Sequence, residues 1–163
     1  MDLLIFVTVG TSVLQFNRLL KIIDEFCEEG VIDKDDVIVQ VGRSDYKPKN
    51  YKYFDFVSRE EHHKYLENSD LIITHSGTGS VISSIKAGKK VIAFPRLKKF
   101  GEHVDDHQVD LVKAFVKDNY ILVAMNKEEL KKQIMNIDSF KPTKFVSNNE
   151  KLVGILIDFI ERQ

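Results

Sequence analysis

The sequence predicts an α/β fold: a Rossmann-like parallel sheet with helices on both faces. Three observations predict it. Short apolar runs rich in β-branched residues recur along the 163 residues, as strands buried on both faces do. Segments with apolar residues at helical spacing lie between them. Several runs end in glycine or proline, the residues that turn or stop a chain. Right-handed crossovers then close the units into one wound sheet.

Each element follows in order. Residues 3–9 (LLIFVTV) form the first strand. It ends at Gly10-Thr11-Ser12, read as a turn and helix cap. Val13, Phe16, Leu19, Leu20, Ile23 and Phe26 then recur at helical spacing to about Glu28, and Gly30 closes that helix. Residues 37–41 form a second strand, ended by Gly42. Residues 44–50 are polar and hold Pro48, so they form a loop, and residues 53–57 suit a third strand. Ser58 with Glu61 three residues on is a capping pattern, with a helix to about Leu66. Residues 71–74 are a fourth strand, and the glycine-rich turn 75–80 opens a helix ending near Ala87-Gly88. Residues 91–94 are a fifth strand, stopped by Pro95. A polar loop from Arg96 to about Asp106 precedes a helix to Lys117, a sixth strand at 121–124 and a helix capped by Asn126.

The last segment differs from the rest. Between residues 151 and 162, polar side chains fall at Lys151, Asp158, Glu161 and Arg162, with helix-weak Gly154 among apolar residues. A helix so apolar must be covered, by this domain or by another chain. The expectation is one domain over residues 1–163, ending in a helix over about 148–162.

Composition excludes several classes. A net charge of −1 gives no global field for nucleic acid or an anionic membrane, though Arg96, Lys98 and Lys99 form a local basic patch. The single Cys27 excludes an internal disulfide and a cysteine-based metal cluster, and suits a reducing, cytoplasmic compartment. It falls on an apolar helix face and reads as core. The apolar run 3–9 lacks a basic flank and is too short for a signal or spanning helix.

Open parallel sheets bind ligands at the carboxyl ends of their strands. That rule selects four loops. His75-Ser76-Gly77-Thr78-Gly79-Ser80 carries the best signal. Two glycines let a ligand approach the backbone, three hydroxyls add donors, and free amides at a helix start favour a phosphate. The plain alternative is a tight strand-to-helix turn. In Gly101-Glu102-His103-Val104-Asp105-Asp106-His107-Gln108, acids and histidines cluster. A metal site is disfavoured because Val104 stands where a zinc-protease pattern needs glutamate. Asp105 or Asp106 caps the helix, while His107 and Gln108 suit hydrogen bonds to a ribose or sugar. Gly10, Thr11 and Ser12 stand at the ligand edge but serve equally as a cap. Arg43 could pair with a phosphate or be a plain surface charge. His62 and His63 sit in a charged helix and read as solvated.

Taken in order, VTVGTS at 7–12, QVGR at 40–43, DLIITHSGTGS at 70–80 and His107-Gln108 resemble a known family. The chain is similar to the cytosolic subunit of the eukaryotic two-chain transferase that adds the second N-acetylglucosamine to dolichol-linked chitobiose. It resembles still more the bacterial relatives in capsule and exopolysaccharide synthesis, through Phe94-Pro95-Arg96 and the segment from Phe100 to Val104. The resemblance runs to about Val123 and more loosely beyond. It implies the C-terminal, donor-binding domain of a GT-B glycosyltransferase. The donor would be a UDP-sugar, with galactose or N-acetylglucosamine favoured, and the acceptor a lipid-linked saccharide. The acceptor half would be a separate membrane-anchored subunit, docked in part by the C-terminal helix, which would recruit this chain to the inner face of the membrane. No metal or other cofactor is implied. The Gly-Ser/Thr loops would hold the diphosphate, His107 and Gln108 would lie near the donor sugar, and Glu102 and His103 are candidates for sugar contact. Many relatives carry an acid in the helix after the glycine loop; this chain has Ser83 there, which leaves one hydroxyl for the ribose. Two other readings stay open: a non-catalytic enhancer subunit, and an unrelated Rossmann-type nucleotide-binding module.

Overall fold

The six strands form one parallel sheet in the order β3-β2-β1-β4-β5-β6. A computed structural model describes residues 3–146 and 150–161. The strands are β1 (Ile5–Thr8), β2 (Val37–Gln40), β3 (Lys52–Phe54), β4 (Leu71–Thr74), β5 (Lys90–Ala93) and β6 (Leu122–Val123). The helices are α1 (Asn17–Glu28), α2 (Arg59–Asn68), α3 (Thr78–Lys86), α4 (His107–Lys117), α5 (Lys127–Met135) and α6 (Glu150–Glu161). Every pairing is parallel; β1 takes β2 on one edge and β4 on the other, with Thr8 level with Gln40 and Thr74. The strand order therefore reverses between β1 and β4.

Alternation along the strands divides the core in two. Ile5, Val7, Val9, Ile73 and Phe94 face α1 and α5, packing on Phe16, Leu19, Ile23, Phe26, Leu130 and Ile134. Phe6, Ile72, Val91 and Ala93 face the other way, toward Leu66 of α2, Val81 and Ile85 of α3, Leu111 and Phe115 of α4, and Leu152 and Ile155 of α6. Burying each such side chain contributes roughly 1.5–3 kcal/mol. Cys27 packs against the first cluster, and burial, with Asp24 and Asp33 nearby, pushes its thiol up to about 11. It behaves as core.

Local chemistry sets the boundaries. Ser58 and Glu61 form the expected capping box at α2. Asn126 caps α5 by accepting from the Glu129 amide. The start of α1 is a correction: it begins at Asn17, not near Val13, and Phe16 at its cap position makes no side-chain cap bond. Ser12 instead accepts from the Leu14 amide within an irregular loop, and Val13 is 69% exposed. Strand β3 also ends earlier than expected, at Phe54, which turns residues 55–58 into a loop.

Helix α6 is half covered. Leu152 and Ile155 are buried, whereas Val153, Ile157 and Ile160 are exposed on its outer face. Residues 148, 149 and 162 of the expected docking segment lie outside the described residues. Among the described residues, no helix is long and apolar enough to cross a membrane.

Candidate functional site

A cleft of about 390 Å³ opens at the carboxyl ends of the central strands, beside the point where the strand order reverses. That is where an open α/β sheet parts its loops to admit a ligand. Thr8 and Gln40 form part of its lining, joined by a 3.0 Å bond from Thr8 Oγ1 to Gln40 Oε1. Gly10 and Thr11 line it from the β1–α1 loop; His75, Gly77, Gly79 and Ser80 line it from the β4–α3 loop.

His75 organises this space. Its Nδ1 lies 3.3 Å from the Thr8 carbonyl oxygen, which can only accept, so Nδ1 carries the proton there. Nε2 is left as an acceptor. The ring fills the gap between Gly10 and Gly77. A Cβ added at Gly10 would stand 2.5 Å from Nε2, and one at Gly77 closer still. Gly10 also holds φ at 74°, a conformation that side chains resist. Both positions therefore need glycine because the imidazole occupies the room.

Burial, then the nearby charge of Arg96, lowers the His75 pKa to about 4, so the ring is neutral at neutral pH. The consequence for stability has a definite sign. Because the folded value lies below the usual 6.5, the contribution of His75 is complete above pH 6.5 and is lost as the pH falls toward about 4. His62, also lowered by burial and by His63, adds in the same direction. Thermal unfolding followed across that window should fall with acidification, and His75→Gln should flatten the fall. An equally steep decline in the variant would remove His75 as its source.

The N-terminus of α3 faces the same cleft. Gly77 at its cap position offers no side-chain bond to the first amides, so these donors remain open to a ligand. Ser76 is fully buried, adopts φ of 75°, and its Oγ has no hydrogen-bond partner among the described residues. A left-handed serine with an unmet hydroxyl is a costly arrangement, of the kind that collects at ligand sites.

A second groove of about 870 Å³ lies between α2 and α3 and shares Arg59 and His62 with the cleft. Ser83 is in this groove rather than in the cleft. The cleft lining includes neither Ser12, Arg43, Ser76 nor Thr78, nor His103, His107 and Gln108. Arg43 is exposed after β2, where its carbonyl accepts from Gln15. His103 lies before α4, 3.0 Å from the Asp105 carbonyl, and does not share a helix face with exposed His107. Asp106 occupies the cap position of α4, but its carboxylate accepts from the Lys98 amide; Asp105 accepts from the His107 amide instead.

Glu102 is not solvated with the rest of its polar loop. It is 4% exposed, and both carboxylate oxygens take Arg18: Nε at 2.8 Å and Nη2 at 2.8 Å. The Leu97 amide adds a third bond at 3.0 Å. Three bonds thus commit most of the carboxylate's acceptor capacity, and Glu102 is not part of the cleft lining. Arg96 is a correction: it is 2% exposed and belongs to no surface patch. It donates to the carbonyls of Val9, Leu14, Gln15 and Glu102.

Sequence reasoning missed Phe56, Val57, Arg59 and His62, all of which line the cleft. Extending β3 to residue 57 hid a loop at the ligand edge. His62 is not solvated as expected, since its ring meets Phe6 edge-on at 5.1 Å. The usable signal was its place on the first turn of a helix that follows a strand.

The model of the glycosyltransferase family 28 C-terminal domain matches residues 4–156. A UDP-N-acetylglucosamine transferase subunit, ALG13, from Candida albicans is 35% identical over 91 residues, covering 56% of this chain and 29% of that protein. The chain thus spans less than a third of the curated relatives it matches. The solution structure of ALG13 matches with a TM-score of 0.64 at 22% identity, over 94% of each chain. Acinetobacter baumannii MurG matches with a TM-score of 0.58 at 19% identity, over 98% of this chain and 45% of that one. These structures share the fold, a Rossmann-like domain equivalent to the C-terminal half of a GT-B enzyme.

Proposed function

Because the chain belongs to the glycosyltransferase family 28 C-terminal domain family, we propose that it is the donor-binding subunit of a two-component glycosyltransferase that uses a UDP-sugar. The observation that carries this reading is the open N-terminus of α3 in the cleft beside β1 and β4. Its free amides and helix dipole suit a diphosphate. The imidazole of His75 is neutral, so the amides rather than a histidine cation meet the anionic charge in the resting protein.

The uridine runs from the cleft into the groove between α2 and α3, where Ser83 offers the ribose a hydroxyl. Transfer proceeds with inversion. An acceptor hydroxyl attacks the anomeric carbon from the face opposite the diphosphate, and the amides of α3 stabilise the charge growing on the leaving group. The base that takes the hydroxyl proton comes from the partner, since both oxygens of Glu102 are held by Arg18. The curated relatives are UDP-N-acetylglucosamine transferase subunits, which supports N-acetylglucosamine as donor sugar, with galactose the other choice. A lipid-linked saccharide acceptor, in exopolysaccharide, capsule or glycolipid synthesis, rests on the motif resemblance.

The exposed outer face of α6, with Val153, Ile157 and Ile160, suits docking of the membrane-anchored subunit. That subunit would hold the complex at the cytoplasmic face of the membrane.

The test is a UDP titration of the chain followed by protein NMR, with and without the partner. Amide shifts concentrated at Gly10, Thr11 and residues 77–80 support the reading. No shift at millimolar UDP in either state refutes it and favours a non-catalytic subunit.

A further inference from the structure

Beneath the cleft lies a buried cation that the proposed reaction does not use. Arg96 and Arg18 flank the single carboxylate of Glu102, but Arg18 takes both of its oxygens. Arg96 donates to the main-chain carbonyl of Glu102 instead, at 3.2 Å. Two guanidinium groups against one carboxylate leave the cluster one positive charge in excess. That excess sits with Arg96, whose ring-facing side stacks on Phe16, with Cζ 4.7 Å from the ring centroid. A cation held among carbonyls and an aromatic face, with no ion pair of its own among the described residues, is retained at a desolvation cost.

Its bonds show what it holds. Nη2 donates to the Val9 carbonyl at 2.7 Å, immediately before Gly10. Nη1 donates to the Leu14 carbonyl at 2.9 Å and reaches that of Gln15 at 3.4 Å. These carbonyls bracket residues 10–13, the stretch that contributes Gly10 and Thr11 to the cleft wall. That stretch has no helix to brace it, because α1 begins only at Asn17. The charge also reaches the cleft: Arg96 is the second cause, after burial, of the lowered His75 pKa.

We infer that Arg96 is a positioning residue for the donor, clamping the β1–α1 loop in its binding shape and setting a fixed positive charge under the diphosphate. The inference rests on the donor-binding reading above. A planar guanidinium can serve several carbonyls at once, which a lysine ammonium on a flexible stem cannot do in the same geometry. A buried, preorganised charge is screened little by salt and needs no reorientation when an anion arrives.

The experiment compares wild type, Arg96→Met and Arg96→Lys in the full chain, titrated by NMR with UDP and with uridine. Arg96→Met should weaken UDP by about tenfold or more while uridine changes by less than about twofold. Arg96→Lys keeps the charge and loses the clamp, and should fall between the two. In the ligand-free proteins, the His75 pKa should rise in Arg96→Met and stay low in Arg96→Lys. Equal loss of UDP and uridine would reduce Arg96 to a structural part, and unchanged UDP affinity would overturn the inference. If Arg96→Met does not fold, Arg96→Lys decides: UDP affinity equal to wild type refutes the clamp, and a severalfold loss confined to UDP supports it. A wild-type chain that ignores UDP fails at an earlier point, since it overturns the donor reading itself.

Discussion

Replacing Gly79 with phenylalanine is expected to remove UDP binding, a loss of more than about a hundredfold on the affinity scale, without weakening the fold. Gly79 lies in the first turn of α3 and lines the cleft, and a Cβ built there meets nothing within 4 Å. A ring at this position would fill the space assigned to the diphosphate in the proposed donor site, and its Cβ meets no neighbour. Glycine is also a poor helix former, by up to about 1 kcal/mol relative to alanine. The variant should therefore melt at or slightly above the wild-type temperature. Gly77→Ala is a less clean probe, because its Cβ would run into His75 Nε2 and disturb the loop as well as the ligand. Isothermal titration and a thermal melt on the same sample check both halves. UDP binding that survives in Gly79→Phe would remove α3 from the site.

Glu102→Ala should do the opposite and unfold rather than unbind. It strips half-buried Arg18 of its carboxylate partner and removes the negative charge nearest buried Arg96. Breaking such a pair from one side costs about 3–5 kcal/mol. It also frees the Leu97 amide and slackens the β5–α4 loop. Urea unfolding gives the measurement, with the slope of the transition showing that the folded state is comparable. Glu102→Gln keeps an acceptor for Leu97 and should lose less. A loss below about 1 kcal/mol in Glu102→Ala would contradict the buried pair. Full stability with abolished sugar transfer would return Glu102 to the role of sugar contact.

These two residues also mark how far the sequence could be read. Strand β4 falls on residues 71–74, as its four apolar and β-branched residues require, and the Ser58–Glu61 cap sits where the spacing puts it. Such features are local: a strand's side chains or a cap's bonds lie within a few residues of one another. The glycine loop was legible for the same reason. Glu102 and Arg18 are 84 positions apart, and no periodicity connects them. In the sequence, Glu102 stands beside His103, Asp105 and Asp106 as part of an acidic, solvated loop. In the fold it turns inward, because Arg18 on α1 waits beneath. Val13 misled by a different route. Its spacing from Phe16 imitates one helical turn, yet the chain between them is bent to let Arg96 reach the Leu14 carbonyl. The cleft residues Phe56 and Val57 were lost through a boundary error in β3.

The strand order has a bearing on how the chain comes together. The sheet grows outward from β1 through β2 to β3, then returns to the opposite edge of β1 with β4 and grows outward again. Until residues 71–74 arrive, one side of β1 is an unpaired row of amides and carbonyls flanked by Ile5, Phe6 and Val7. Such an edge is a template for intermolecular pairing. The half-sheet β1 to β3 thus carries an open apolar edge during synthesis, and β4 covers it, passing the open edge outward to be covered in turn by β5 and β6. The same closure brings His75 against Gly10, so the cleft takes shape as the central strand β1 gains its second neighbour.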